Sequence, residues 1–129
     1  MAPTLKARVR AALAAVDGAA EGEGVFDTDQ PAFFVNGRLV AEFADNNALG
    51  IRLTRAVIRE HRPSLTGDPR VDPIKSSSDW ISVRFRRAAD VDWVAGLVAL
   101  AVPHYLPPPR QAVKPPPTGS TLERLRRFH

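Results

Sequence analysis

The side chains able to do chemistry in this sequence are few and scattered. His61, His104 and His129 share no H-x-x-x-H or related ligand spacing, so no metal site is expected. With no Cys among 129 residues, disulfides, thiolate metal sites, iron–sulfur clusters and a Cys nucleophile are all excluded. Ser76, Ser77 and Ser78 lack the G-x-S-x-G context of a nucleophile elbow and read as a polar turn. Gly18, Gly22 and Gly24 form no G-x-G-x-x-G cradle after a strand, so a dinucleotide or P-loop site is not expected, and no organic cofactor is implied. What remains is Glu42 beside Arg52. The pair is expected to form a cross-strand ion pair, with a general-base role for the carboxylate as the alternative.

The elements that must position such residues follow from periodicity. Leu5, Val9, Leu13 and Val16 recur at helical spacing behind Thr4, an N-cap residue, with Gly18 as the stop. Between 19 and 31 the only large apolar pair is Val25-Phe26, which predicts a short strand there. Ala32 to Asn36 and Arg38 to Ala44 are apolar runs joined at Asn36-Gly37, the strongest short hairpin signal because both turn positions need positive φ. Leu49, Ile51 and Leu53 alternate as a half-buried strand. Thr54 caps a helix through Ala56, Val57 and Ile58 that should end near Arg62, because Pro63 disfavours helix before it. The prolines at 69 and 73 confine Val71 to an edge strand or loop, and Trp80 to Phe85 alternates as a strand. Asp90 caps a last helix striped with Val91, Val94, Val98, Ala101 and Tyr105.

The order of elements is α+β: an antiparallel sheet with helices packed on one face, residues 1–106. Residues 107–129 are expected to be a proline-rich linker and a short basic helix, whose capping box at Ser120 to Glu123 and apolar Leu122, Leu125 and Phe128 suit docking on the protein or a partner, with a disordered basic tail as the alternative. A two-residue hairpin places residues summing to 73 opposite each other. Phe34, Leu39, Ala41 and Phe43 then face the helices. Phe33, Val35, Arg38, Val40, Glu42, Arg52, Trp80, Ser82 and Arg84 face away. The second face is too apolar for a plain solvated surface, and Phe33, Val35, Val40, Glu42, Arg52, Trp80, Ser82 and Arg84 are the candidate binding residues. A ligand, a partner chain or the chain's own tail would cover them.

Charge narrows the partners. Residues 1–102 hold 13 Lys/Arg and 13 Asp/Glu, while residues 103–129 hold five basic residues against Glu123 alone. A neutral body disfavours a phosphate-tracking surface, although Arg84, Arg86 and Arg87 form a local basic patch. The expected partners are a small molecule or a protein, a second copy included, rather than nucleic acid. No signal-peptide h-region and no long apolar run are present, so no membrane role is expected and the cytoplasm is the default compartment.

Ala32-Phe-Phe-Val-Asn-Gly-Arg-Leu-Val-Ala-Glu-Phe43, Ile51-Arg-Leu-Thr-Arg, Asp68-Pro-Arg-Val71, Ser76-Ser-Ser-Asp-Trp80 and Val83-Arg-Phe85 form an ordered series. Over roughly residues 5 to 105 this series resembles the luciferase-domain family, small and mostly bacterial proteins that share a domain with the fungal luciferases. The resemblance implies an α+β domain, and through the fungal members a cofactor-independent oxygenase acting on a hispidin-type luciferin. Where the fungal members are rich in His, this chain reads Ala41 to Leu53 without one, so no catalytic residue is carried over. The Val-Asn-Gly hairpin and the α+β layout also resemble, more weakly, the small double-wing proteins, which implies DNA binding as a further alternative.

Overall fold

A computed structural model describes residues 4–106 of the chain, so the expectations for the proline-rich tail lie outside the described residues. The fold is α+β. Its five-stranded sheet is an antiparallel meander in the order β1-β2-β3-β4-β5, the simplest topology that short connections allow. Helix α1 (Leu5–Ala14) starts where the Thr4 hydroxyl accepts the Ala7 N–H, and Gly18 at φ +91° turns the chain into β1 (Ala19–Glu23). The expected strand around Val25 and Phe26 is not formed. The strand lies earlier, in a stretch with no large apolar residue, and the pair protrudes from the following loop with 61% and 76% exposure. Backbone pairing with β2 supplies what β1 lacks in side-chain burial.

Strands β2 (Pro31–Val35) and β3 (Arg38–Phe43) meet at the Asn36-Gly37 turn, where φ is +53° and +78° as a type I′ turn requires. Val35 opposes Arg38 and Phe34 opposes Leu39, but Phe33 opposes Ala41, so Val40 is an extra residue. This bulge overturns part of the two-face assignment. Phe33 and Val35 face the helices and are fully buried, while Phe34 and Leu39, expected in the core, turn to the other side and are only half-buried. Val40 is also buried in the core cluster. Beyond the bulge the expected alternation returns: Ala41 and Phe43 point inward and Glu42 outward.

Strand β4 (Ala48–Arg52) pairs with β3 and with β5 (Trp80–Arg84), so Leu49, Ile51, Ile81 and Val83 complete the inner face. Val71 forms an isolated bridge to Val83 along the outer edge of β5. Helices α1 and α3 (Ala89–Ala101) pack on each other and on the inner face. The edge-to-face rings of Phe33, Phe43 and Phe85 sit at the centre of this core. A short 3₁₀ turn (Val102–His104) leads to Tyr105, whose phenol donates to the Arg52 carbonyl at 3.2 Å.

Helix α2 (Arg55–Thr66) begins behind Thr54, whose hydroxyl accepts the Val57 N–H at 3.3 Å. It does not end at Arg62 but runs through Pro63 for another turn. Loss of one helical hydrogen bond at an internal proline costs about 3 kcal/mol. Burial of Leu65 in the core, worth roughly 1.5–3 kcal/mol, and the Gly67 N–H donating to the Pro63 carbonyl offset it. The join from β4 to α2 is strained, because Thr54 sits at φ +85°, a region that a β-branched residue rarely enters.

Asp90 does not cap α3 forward as expected. Its carboxylate reaches back to the N–H groups of Arg86 and Arg87, at 2.8 and 3.2 Å, and accepts Arg70 at 2.9 Å. Arg70 also forks onto Asp68 and lies 3.7 Å over the Trp93 ring. The N–H of Arg86, helped by Arg70, holds the Asp90 carboxyl below the usual carboxylate range despite burial.

Two stability outcomes follow. An added Cβ at Gly37 meets no neighbour, so Gly37→Val should cost about 1–3 kcal/mol in urea unfolding through backbone strain alone. Asp90→Asn should cost about 2 kcal/mol at neutral pH, by stripping charge from two N–H bonds and an ion pair with a partly exposed partner. Because the folded pKa of Asp90 is depressed, its contribution is present above the unfolded carboxylate pKa and lost as pH falls through the folded one. The gap between the parent and Asp90→Asn should therefore close as unfolding is measured from pH 7 down to pH 2.

Candidate functional site

The sheet face turned away from α1 and α3 carries a row of outward positions across four strands: Ala32, Glu42, Gly50 and Ser82. Glu42 is only 5% exposed, although the sheet face around it is open. The loop between β1 and β2 folds over it. The two carboxylate oxygens accept the backbone N–H groups of Val25 at 2.7 Å, Phe26 at 3.1 Å and Asp27 at 2.9 Å. A carboxylate offers about four lone-pair directions, and these three N–H groups, with that of Phe26 shared between both oxygens, occupy most of them. The loop closes on itself through Gly24 N–H to the Gln30 carbonyl and Gln30 N–H to the Asp27 carbonyl. Gly24 is needed for this approach, because a Cβ there would lie 2.1 Å from the Asp27 carbonyl oxygen and 2.9 Å from Glu42 Oε2.

The expected Glu42–Arg52 ion pair is not formed. Arg52 donates instead to Asp79 at 2.8 Å, one residue before the strand that pairs with its own. The loop donors had already taken the Glu42 oxygens, and Asp79 lies beside the cross-strand partner of Arg52, Trp80.

Pinning the loop brings Phe26 onto Trp80, edge to face with ring centres 5.9 Å apart. Between the loop and the sheet lies a cleft of about 210 Å³ lined by Phe26, Asp27, Glu42, Gly50, Trp80 and Ser82. Gly50 forms an open floor at its centre: an added Cβ would meet the Trp80 ring at 3.6 Å, ordinary contact distance. Trp80 is oriented by Ser78, whose hydroxyl accepts the Trp80 N–H at 2.9 Å.

Of the eight candidate residues, Glu42, Trp80 and Ser82 come together around this cleft. Arg52 lies on the same face, tied to Asp79. Arg84 lies farther along β5, half exposed and paired with Asp72. Phe33, Val35 and Val40 belong to the core. Phe26, Asp27, Gly24 and Gly50 were missed. The one signal for them in the sequence was a large apolar pair, Val25-Phe26, stranded in a polar stretch directly after two glycines. Among the described residues, no cluster of His, Asp or Glu is arranged as metal ligands, and no helix is long and apolar enough to cross a membrane.

No family model, curated protein or solved structure matches the chain.

Glu42→Gln should replace acceptors with an amide that presents a donor to the same N–H groups. The expected result is a loss of about 2 kcal/mol, with protection from hydrogen exchange lost at Val25, Phe26 and Asp27 while the amides of β3 and β4 keep theirs.

Proposed function

We propose that this is a small-ligand-binding protein of the luciferase-like kind, and that its site is the outer-face cleft between the β1–β2 loop and the sheet, beside the Phe26–Trp80 pair. The observation that carries this reading is the pairing of an exposed Phe26 with Trp80 above a glycine floor. The two touching rings form one aromatic wall beside the open space between loop and sheet, which suits a mainly apolar ligand that replaces water on the exposed Phe26 ring. Ser82 and Asp27 at the rim supply hydrogen-bonding partners for a hydroxyl. A cleft of this volume encloses a single aromatic ring and leaves the rest of a larger molecule outside. Support also comes from the segments that carry the luciferase-like resemblance, 32–43 and 76–80, since they contribute Glu42 and Trp80 to the cleft.

Binding is favoured over oxygenation because both Glu42 oxygens are engaged by backbone N–H groups of the loop, which opposes a general-base role. Its role is to hold the wall of the cleft.

The test is a titration with catechol and with hispidin, which carries a catechol ring, followed by ¹⁵N NMR. Saturable shifts are expected at the Trp80 indole and at the Phe26 and Ser82 amides, with the Trp93 indole unmoved. Gly50→Val fills the floor with a residue that strands favour, so it should abolish these shifts. Shifts that survive Gly50→Val, or that map to the helices, would overturn the assignment.

A further inference from the structure

A second concave surface lies along α2 and plays no part in the cleft. Arg55, Arg59 and Arg62 recur at i, i+4 and i+7, which places them on one face of the helix. Together with Ser76 and Ser78 they line a groove of about 450 Å³.

Arg55, Arg59 and Arg62 pair with no carboxylate among the described residues, as is also true of Arg8, Arg38, Arg86 and Arg87, but these three converge on one groove. Glu60, the one acidic residue of α2, falls off the stripe. Like charges at i, i+4 cost a helix a few tenths of a kcal/mol. Arg55 is in addition the first residue of α2, at the positive end of the helix dipole, and no acidic residue lies in the first turn. No ion pair among the described residues compensates this arrangement, and a bound anion would.

Across the groove, the Ser78 hydroxyl is committed to the Trp80 backbone and fixes the wall, whereas the exposed Ser76 hydroxyl makes no hydrogen bond among the described residues. Three guanidinium forks and one available hydroxyl suit phosphate oxygens, which Arg engages in bidentate fashion. The stripe spans about 10 Å along the helix axis, longer than one phosphate and suited to two or more in series. The concave shape and the neutral charge of the body favour a small polyanion over a nucleic-acid backbone, which is drawn by an extended basic field.

We propose that the groove between α2 and the 76–78 turn binds the diphosphate group of a small molecule through Arg55, Arg59, Arg62 and Ser76.

Calorimetric titration of the full chain with inorganic pyrophosphate at physiological ionic strength tests this. One saturable site is expected, with orthophosphate at least tenfold weaker. Arg59→Gln and Arg62→Gln should each weaken pyrophosphate binding at least tenfold, Arg59→Lys less, and Arg38→Gln on the hairpin not at all. These substitutions relieve like-charge repulsion, so the fold is not put at risk. ADP binding tenfold tighter than pyrophosphate would mark the source as a nucleotide and equal or weaker binding as free diphosphate, and both support the proposal. Failure to bind, orthophosphate binding as tightly as pyrophosphate, or binding unchanged by both glutamine variants would overturn it. Tighter binding of random duplex DNA through the same arginines would replace it with a nucleic-acid surface.

Discussion

One extra residue in β3 decides what each face of the sheet presents. With Val40 inserted, β2 keeps Phe33 and Val35 toward the helices on either side of the register shift, and beyond it β3 sends Phe43 to the same core while leaving Glu42 outside. Without it, either Phe33 and Val35 would lie in solvent or Phe43 would leave its contacts with Phe33 and Phe85, since a one-residue slip reverses every side chain beyond it. The inner core and the outer carboxylate are thus two results of a single irregularity. Bulges interrupt pairing at a cost. Here the cost is offset by three aromatic rings meeting edge to face in the interior.

Glu42 then organises the outer face from beneath. A carboxylate shielded from water is tolerated only if its charge is met, and on this face Arg52 is engaged with Asp79. Backbone N–H groups meet it instead. They belong to a loop of Gly, Asp and Thr residues that buries little apolar surface of its own, so the charge and the loop satisfy each other: the loop supplies donors and the carboxylate gives the loop a defined shape. The exposed Phe26 is a by-product of that shape, held over Trp80 by the backbone on either side of it.

The parts of this architecture that local chemistry determines are legible in the sequence. Thr4 and Thr54 cap helices, Asn36-Gly37 makes the turn, and the alternation in β4 and β5 separates Leu49, Ile51, Ile81 and Val83 from Arg52, Trp80 and Ser82. The parts that tertiary contacts determine are not. In Phe33-Phe34 and Leu39-Val40-Ala41 every residue is apolar, so both registers look equally good and no glycine or proline marks the bulge. Pro63 argues for a helix end, but the burial of Leu65 beyond it prevails. The Glu42 contacts were hidden for a different reason. Its partners are backbone amides, which every residue possesses and no composition reveals.

The turn at 76–80 connects the two concave surfaces. Ser78 fixes the Trp80 backbone, Asp79 holds Arg52, and the Asp79 carbonyl accepts the N–H of Thr54, the strained residue from which α2 and its arginines begin. Five residues therefore place the aromatic wall on one side and the hydroxyl rim on the other, and the same segment anchors the helix that carries the arginine stripe. A positive φ at a β-branched residue persists only where its surroundings over-determine it. At Thr54 they do, through its own cap to Val57, its N–H to Asp79 and the Tyr105 phenol on the preceding Arg52 carbonyl. The strain at this joint sets the direction in which α2 leaves the sheet, and with it the distance between the arginine stripe and the serine turn.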